Sequence, residues 1–94
     1  KIAVMPLMKK PKLDEPARKI FEDIQKDYKA EYDQTGSIGK RYARQDEIGT
    51  PLCITIDYDT LEDESVTIRD RDTMEQERVK LSEVESYILN RFKF

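Results

Sequence analysis

At 94 residues the chain can form one domain with a modest core, and its composition is polar, 37% hydrophobic against 39% charged. A formal net charge of −3 excludes a generic polyanion binder, which would be basic overall, so any nucleic-acid contact has to come from a local patch. The chain holds no histidine, and its single cysteine, Cys53, reads as a small buried hydrophobe of a reducing compartment.

Ile2 to Met5 is an apolar run before Pro6 and predicts a strand buried on both faces. Lys9, Lys10, Pro11 and Lys12 read as a loop. Ala17, Ile20, Phe21, Ile24 and Tyr28 then recur at helical spacing, with Asp14 or Glu15 as cap and Pro16 in the first turn. Ala30 to Asp33 is a short polar strand ended by Gly36. A second helix is expected from Ser37 to Ile48, stopped by Gly49 and Pro51.

Leu52 to Ile56 is a second apolar run, followed by Asp57, Tyr58, Asp59 and what reads as an acidic loop through Glu64. Val66 to Arg69 alternates like a half-buried strand, with Val66 and Ile68 inward and Thr67 and Arg69 on the other face. Asp70 to Met74 is a tight polar connection, and Val79 with Leu81 marks a weak strand. Ser82 and Glu85 suggest a capping box for a last helix with Val84, Ile88 and Phe92 inside. The order βαβαβββα places the apolar strands centrally and the polar ones at the edges. It predicts an α/β three-layer sandwich, a five-stranded mixed sheet in the order 2-1-3-4-5 with helices on both faces.

Chemistry concentrates in three places. Lys40, Arg41 and Arg44 fall in the second helix at spacings where like charges repel, and near an N-terminus they also oppose the helix dipole. That pattern suits either a phosphate or a solvated face screened by Asp46 and Glu47. Asp57 and Asp59 leave a central strand two residues apart at the edge where open α/β sheets bind ligands, and could hold Mg²⁺. Arg69 and Arg71 alternate with Asp70 and Asp72, which makes either a salt-laced hairpin tip or a pair of guanidinium forks aimed at bases or phosphate. Histidine is absent, Cys53 has no base, and no zinc pattern or Walker loop occurs, so the usual catalytic constellations are missing.

Three segments together resemble a known family: GSIGKRYARQDEIGTP from Gly36, ITIDYDTL from Ile54 and TIRDRDTMEQ from Thr67. They are similar to the C-terminal anticodon-binding domain of the homodimeric glycyl-tRNA synthetase, and the likeness runs over nearly the whole chain, including the opening IAVMPL. Lys40 and Ala43 stand where relatives often carry arginine. The resemblance implies a mixed five-stranded α/β sandwich and a single domain over residues 1–94, cut from a larger cytoplasmic synthetase. It implies no catalytic residue, metal or cofactor here, ATP and Mg²⁺ belonging to a separate catalytic domain. The implied partners are the anticodon stem-loop of tRNA(Gly) and that catalytic domain, within a homodimer and away from any membrane.

Glycine anticodons carry cytosine at their second and third positions, and a splayed cytosine offers an amino donor beside two acceptors. Reading it takes a carboxylate beside a cationic donor. The candidate RNA-binding set is accordingly Lys40, Arg41, Arg44, Asp57, Asp59, Arg69, Asp70 and Arg71. Two competing readings are a protein-interaction module with a synthetase-like fold and a small Mg²⁺-dependent phosphate enzyme using Asp57 and Asp59.

Overall fold

The computed structural model describes residues 1–92. Its elements run β1 (Ile2–Pro6), α1 (Pro11–Gln25), β2 (Ala30–Tyr32), α2 (Ile38–Glu47), β3 (Leu52–Ile56), α3 (Tyr58–Asp63), β4 (Ser65–Asp70), β5 (Gln76–Lys80) and α4 (Leu81–Arg91). The five strands form one mixed sheet in the expected order, β2-β1-β3-β4-β5. β1 pairs in parallel with β2 and β3, while β3–β4 and β4–β5 are antiparallel.

Alternation along each strand divides the core into two unequal layers. Ile2, Val4, Leu52, Ile54, Ile56, Val66, Ile68 and Val79 face Ala17 and Ile24 of α1 and Val84 and Ile88 of α4. Ala3, Met5 and Cys53 face the other way and pack against Ile38 and Tyr42 of α2. One side is therefore a full hydrophobic core. The other is a thin one over β1 and β3, and it leaves the β4–β5 half of that face to polar side chains.

Four local expectations need correction. The Lys9–Lys12 stretch is not all loop: α1 starts at Pro11 after Lys10, the amides of Leu13 and Asp14 both donate to the Lys10 carbonyl, and Leu13 is fully buried. Pro11 has the fixed φ that suits a first helical position, so Asp14 and Pro16 lie inside the helix and Tyr28 lies beyond its end. The acidic loop after β3 is the helix α3, started by a capping box: Asp57 accepts from the Thr60 amide at 3.1 Å while the Asp57 amide donates to Thr60 Oγ1 at 3.1 Å. Asp70 belongs to β4 rather than to the connection. Finally, β5 runs straight into α4, so Leu81 is helical and Lys80 takes the cap position without a side-chain bond, in place of the expected Ser82 box. The Leu81 amide is satisfied instead by the Glu64 carbonyl at 2.8 Å.

Candidate nucleic-acid interface

The three basic residues of α2 have different fates. Lys40 is exposed and makes no ion pair among the described residues. Arg41 is 1% exposed and points inward, where its guanidinium donates to the carbonyls of Pro6, Leu7, Gly36 and Asp33. It ties the end of β1 to the turn before α2, and burial pulls its pKa down from the ordinary arginine value. The expectation that Arg41 faces phosphate is corrected on that ground: every bond it makes is internal. Arg44 lies in the last turn of α2, where the dipole favours a cation, and its Nη1 donates to both oxygens of the buried Asp33 carboxylate at 2.7 Å. Asp33 also accepts from Gln45 at 2.9 Å. Burial raises the Asp33 pKa, but the bonds from Gln45, Arg44 and the Thr35 amide outweigh it and hold the carboxyl below its usual range. Asp33 thus accepts from both arginines, from Arg44 through its carboxylate and from Arg41 through its main-chain oxygen, and the expected like-charge penalty is offset.

Asp57 and Asp59 do not project together from a strand. Asp57 caps α3, and Arg78 of β5 pairs with it and lies 3.8 Å from Asp59. The aspartates expected to alternate with Arg69 and Arg71 are also used internally. Asp70 is buried, and its carboxylate accepts from Arg91 and from the amides of Asp72 and Thr73. Burial again pushes up while those bonds win, so the Asp70 carboxyl sits below its usual range. Asp70 shapes the β4–β5 turn and holds the end of α4, which corrects its assignment to the RNA surface.

Arg69 lies where alternation places it, on the thin side of the sheet beside Cys53 of β3 and Gln76 of β5. Its guanidinium forks onto Asp46 of α2, at 2.8 Å for Nη1 to Oδ1 and 3.1 Å for Nη2 to Oδ2, and stacks over the Tyr42 ring at 5.1 Å. The Asp46 hydrogen bonds raise the Arg69 pKa further. Tyr42 is fixed in turn, its hydroxyl 2.5 Å from Thr55 Oγ1. Arg71 is more exposed and lies in the turn, donating to the Asp46 backbone oxygen at 3.2 Å. Next to Arg69, Gln76 and Arg78 are exposed on the same face, and Arg78 also donates to Ser65 and Thr67.

The result is an open polar shelf: Arg69, Gln76, Arg78 and Thr67 on the strands, with Tyr42 and Asp46 as its wall. Sequence reasoning found Arg69 and Arg71 but not Tyr42, Asp46, Gln76 or Arg78 as parts of it. Two signals were present: Tyr42 and Asp46 are four apart on one helical stripe, and Val79 fixes the parity that puts Gln76 and Arg78 opposite the core.

The fold is a five-stranded mixed sheet whose β4–β5 half carries Arg69 and Arg78 on an open face beside α2. The profile of the family described as "Anticodon binding domain" matches residues 1–91, and the chain belongs to that family. Over its full 94 residues it is 62% identical to the glycine--tRNA ligases of Ruminiclostridium cellulolyticum and of Clostridium beijerinckii. The chain spans about a fifth of the length of these relatives, 20% in each case. The likeness to the glycyl-tRNA synthetase anticodon-binding domain, carried by the SIGKRY, RQDEIGTP and RDRDTMEQ segments, is thereby borne out. Among solved structures, the prolyl-tRNA synthetase from Cryptosporidium parvum complexed with L-proline and AMP superposes with a TM-score of 0.86 over 96% of this chain and 20% of its own, at 20% identity, which shows the shared fold. No helix of the described residues is long and apolar enough to cross a membrane.

Proposed function

We propose that this domain binds the anticodon stem-loop of tRNA(Gly) on the β4–β5 shelf, for a glycine--tRNA ligase whose catalytic part lies in the rest of the protein. The carrying observation is Arg69. A guanidinium on a strand, locked by a bidentate carboxylate and an aromatic face, keeps the fixed geometry that base reading requires. Arg71 and Arg78 flank it as phosphate contacts, which position RNA without reading it, and Lys40 and Arg44, side by side near Gly36 on the far side of α2, are candidates for phosphates further along the RNA. The family relation and the resemblance support the rest of the reading: a homodimeric cytoplasmic parent that uses ATP and Mg²⁺ in its catalytic domain, with none required here.

The shelf is mixed in sign, with Asp46, Asp57 and Asp59 between the arginines. A uniformly basic groove would hold any RNA loop, whereas alternating donors and acceptors make the fit depend on the base edge. The test is binding of this chain to a stem-loop bearing a glycine anticodon and to loops with uracil in place of each cytosine. The expected result is weaker binding on substitution, by about 1–3 kcal/mol per cytosine read. Equal affinity for all the loops would refute the proposal.

A further inference from the structure

The carboxylate that reading a cytosine calls for is not where the RDRD run suggests. Asp70 is turned inward onto Arg91 and the turn amides, and Asp57 caps α3 and pairs with Arg78. Asp46 of α2 is the acceptor held against Arg69, and it is 33% exposed where Arg69 is 15% exposed. The structure assigns the selection of cytosine to the Arg69–Asp46 pair, with Asp46 as its specificity-determining acceptor; this rests on the anticodon reading proposed above.

The geometry of a fork pair gives the reason. Two guanidinium hydrogens engage the carboxylate, which leaves a free N–H and a free oxygen lone pair side by side on each flank. On one flank the Met74 sulfur lies 3.9 Å from Nη2. The other flank, Asp46 Oδ1 beside Arg69 Nη1, makes no further hydrogen bond among the described residues. It offers an acceptor next to a donor. A cytosine in the plane of the pair donates its N4 amino hydrogen to Oδ1 and accepts from Nη1–H at N3. A uracil in the same pose turns its O4 toward Oδ1 and its N3–H toward Nη1, acceptor against acceptor and donor against donor. Discrimination therefore comes from repulsion of the wrong base as well as attraction of the right one.

The surroundings fix the pair in this state. The Tyr42 ring covers one face of the Arg69 guanidinium, so the base approaches edge-on. The Asp46 backbone oxygen accepts from Arg71 Nε at 3.2 Å, which anchors the end of α2 to the β4–β5 turn. Asp46 thus has two tasks on one residue, a main-chain one that joins helix to turn and a side-chain one that faces the base.

Asp46→Asn separates them. The amide keeps an oxygen for Arg69 but adds an N–H₂ that can donate to uracil O4. Affinities of wild type and Asp46→Asn for the glycine-anticodon stem-loop and its cytosine-to-uracil versions test the assignment, with Asp23→Asn on the opposite helical layer as control. Wild type should prefer the cognate loop about tenfold to a hundredfold at the cytosine that is read, and Asp46→Asn should lose most of that preference by weakening on the cognate loop while holding or gaining on uracil. Asp23→Asn should match wild type. A preference retained in Asp46→Asn overturns the assignment while leaving the anticodon reading standing. No preference in wild type refutes the anticodon reading itself. In wild type the Arg69 guanidinium resonances should also shift with the cognate loop, a readout that needs no variant to fold; resonances that stay put with that loop bound overturn the assignment.

Discussion

Arg41→Met is the perturbation that most sharply divides an internal strut from a surface contact. The guanidinium is 1% exposed and donates to four main-chain carbonyls, at 3.3 Å to Gly36, 3.3 Å to Leu7 and 3.5 Å to Asp33, with a shorter contact to Pro6. Methionine fills much of the same volume but donates nothing, so several buried carbonyls lose their partner. Each stranded buried acceptor costs about 1–3 kcal/mol, but removing a charge from the interior also returns a desolvation cost. The longer contacts to Asp33 and Leu7 are weak and count for less. A net loss of about 2–4 kcal/mol follows. At about 4–8 °C per kcal/mol for a domain of this size, the melting temperature should fall by about 10–25 °C. Urea denaturation of wild type, Arg41→Met and Lys40→Ala measures it directly. Lys40→Ala, on the open surface, should lie within about 0.5 kcal/mol of wild type. An Arg41→Met loss below about 1 kcal/mol would show that the carbonyl cage is not made, and the residue would return to the surface reading.

Arg69→Ala should cost about 1–3 kcal/mol on a glycine-anticodon stem-loop and much less on a cytosine-substituted one, whereas Arg71→Ala should weaken both about equally. Equal losses on both loops for Arg69→Ala, in a titration of the two variants, would make Arg69 a backbone contact. Neutralising Lys40 should weaken binding evenly across anticodon sequences and make the salt dependence shallower by about 0.7–0.9 in log–log slope, and an unchanged slope would place Lys40 off the RNA. Asp33 and Asp70 have folded pKa values below the ordinary carboxylate range. Their stability is therefore complete above about pH 4 and is lost as pH falls through the lowered values, so the melting temperature should drop on the acid side of about pH 4, and Asp70→Asn should blunt that drop. An acid limb unchanged by Asp70→Asn would contradict the Arg91 and turn-amide bonds assigned to it.

The strand order was legible because burial has a plain signature here. IAVMP and LCITI are buried at every position, and such runs belong at the centre of a sheet, with polar AEY and QERVK left for the edges. Element ends were less legible because several signals compete within a few residues. Asp57, Thr60 and the acidic stretch after them read as loop by composition, but the reciprocal Asp57–Thr60 bonds start a helix. The site was legible only in part for a different reason. Arg41 and Arg44 look alike in sequence, and what separates them is which carbonyls and carboxylates the fold brings within reach, set by contacts 34 and 35 residues away for Arg41. Likewise Asp46 joins Arg69 across 23 residues. Local pattern carries secondary structure, and long-range pairing carries the chemistry of the shelf.

The proposed function puts RNA on the face formed by β4, β5 and the Tyr42–Asp46 side of α2. Mapping backbone and side-chain NMR shifts of this chain as a glycine-anticodon stem-loop is added tests it most directly. Thr67, Arg69, Gln76, Arg78, Tyr42 and Asp46 should move together and saturate with one affinity, while Ile20, Val84 and Ile88 on the α1–α4 side stay unchanged. Shifts centred on the α1–α4 side, with the shelf unmoved, would contradict the account.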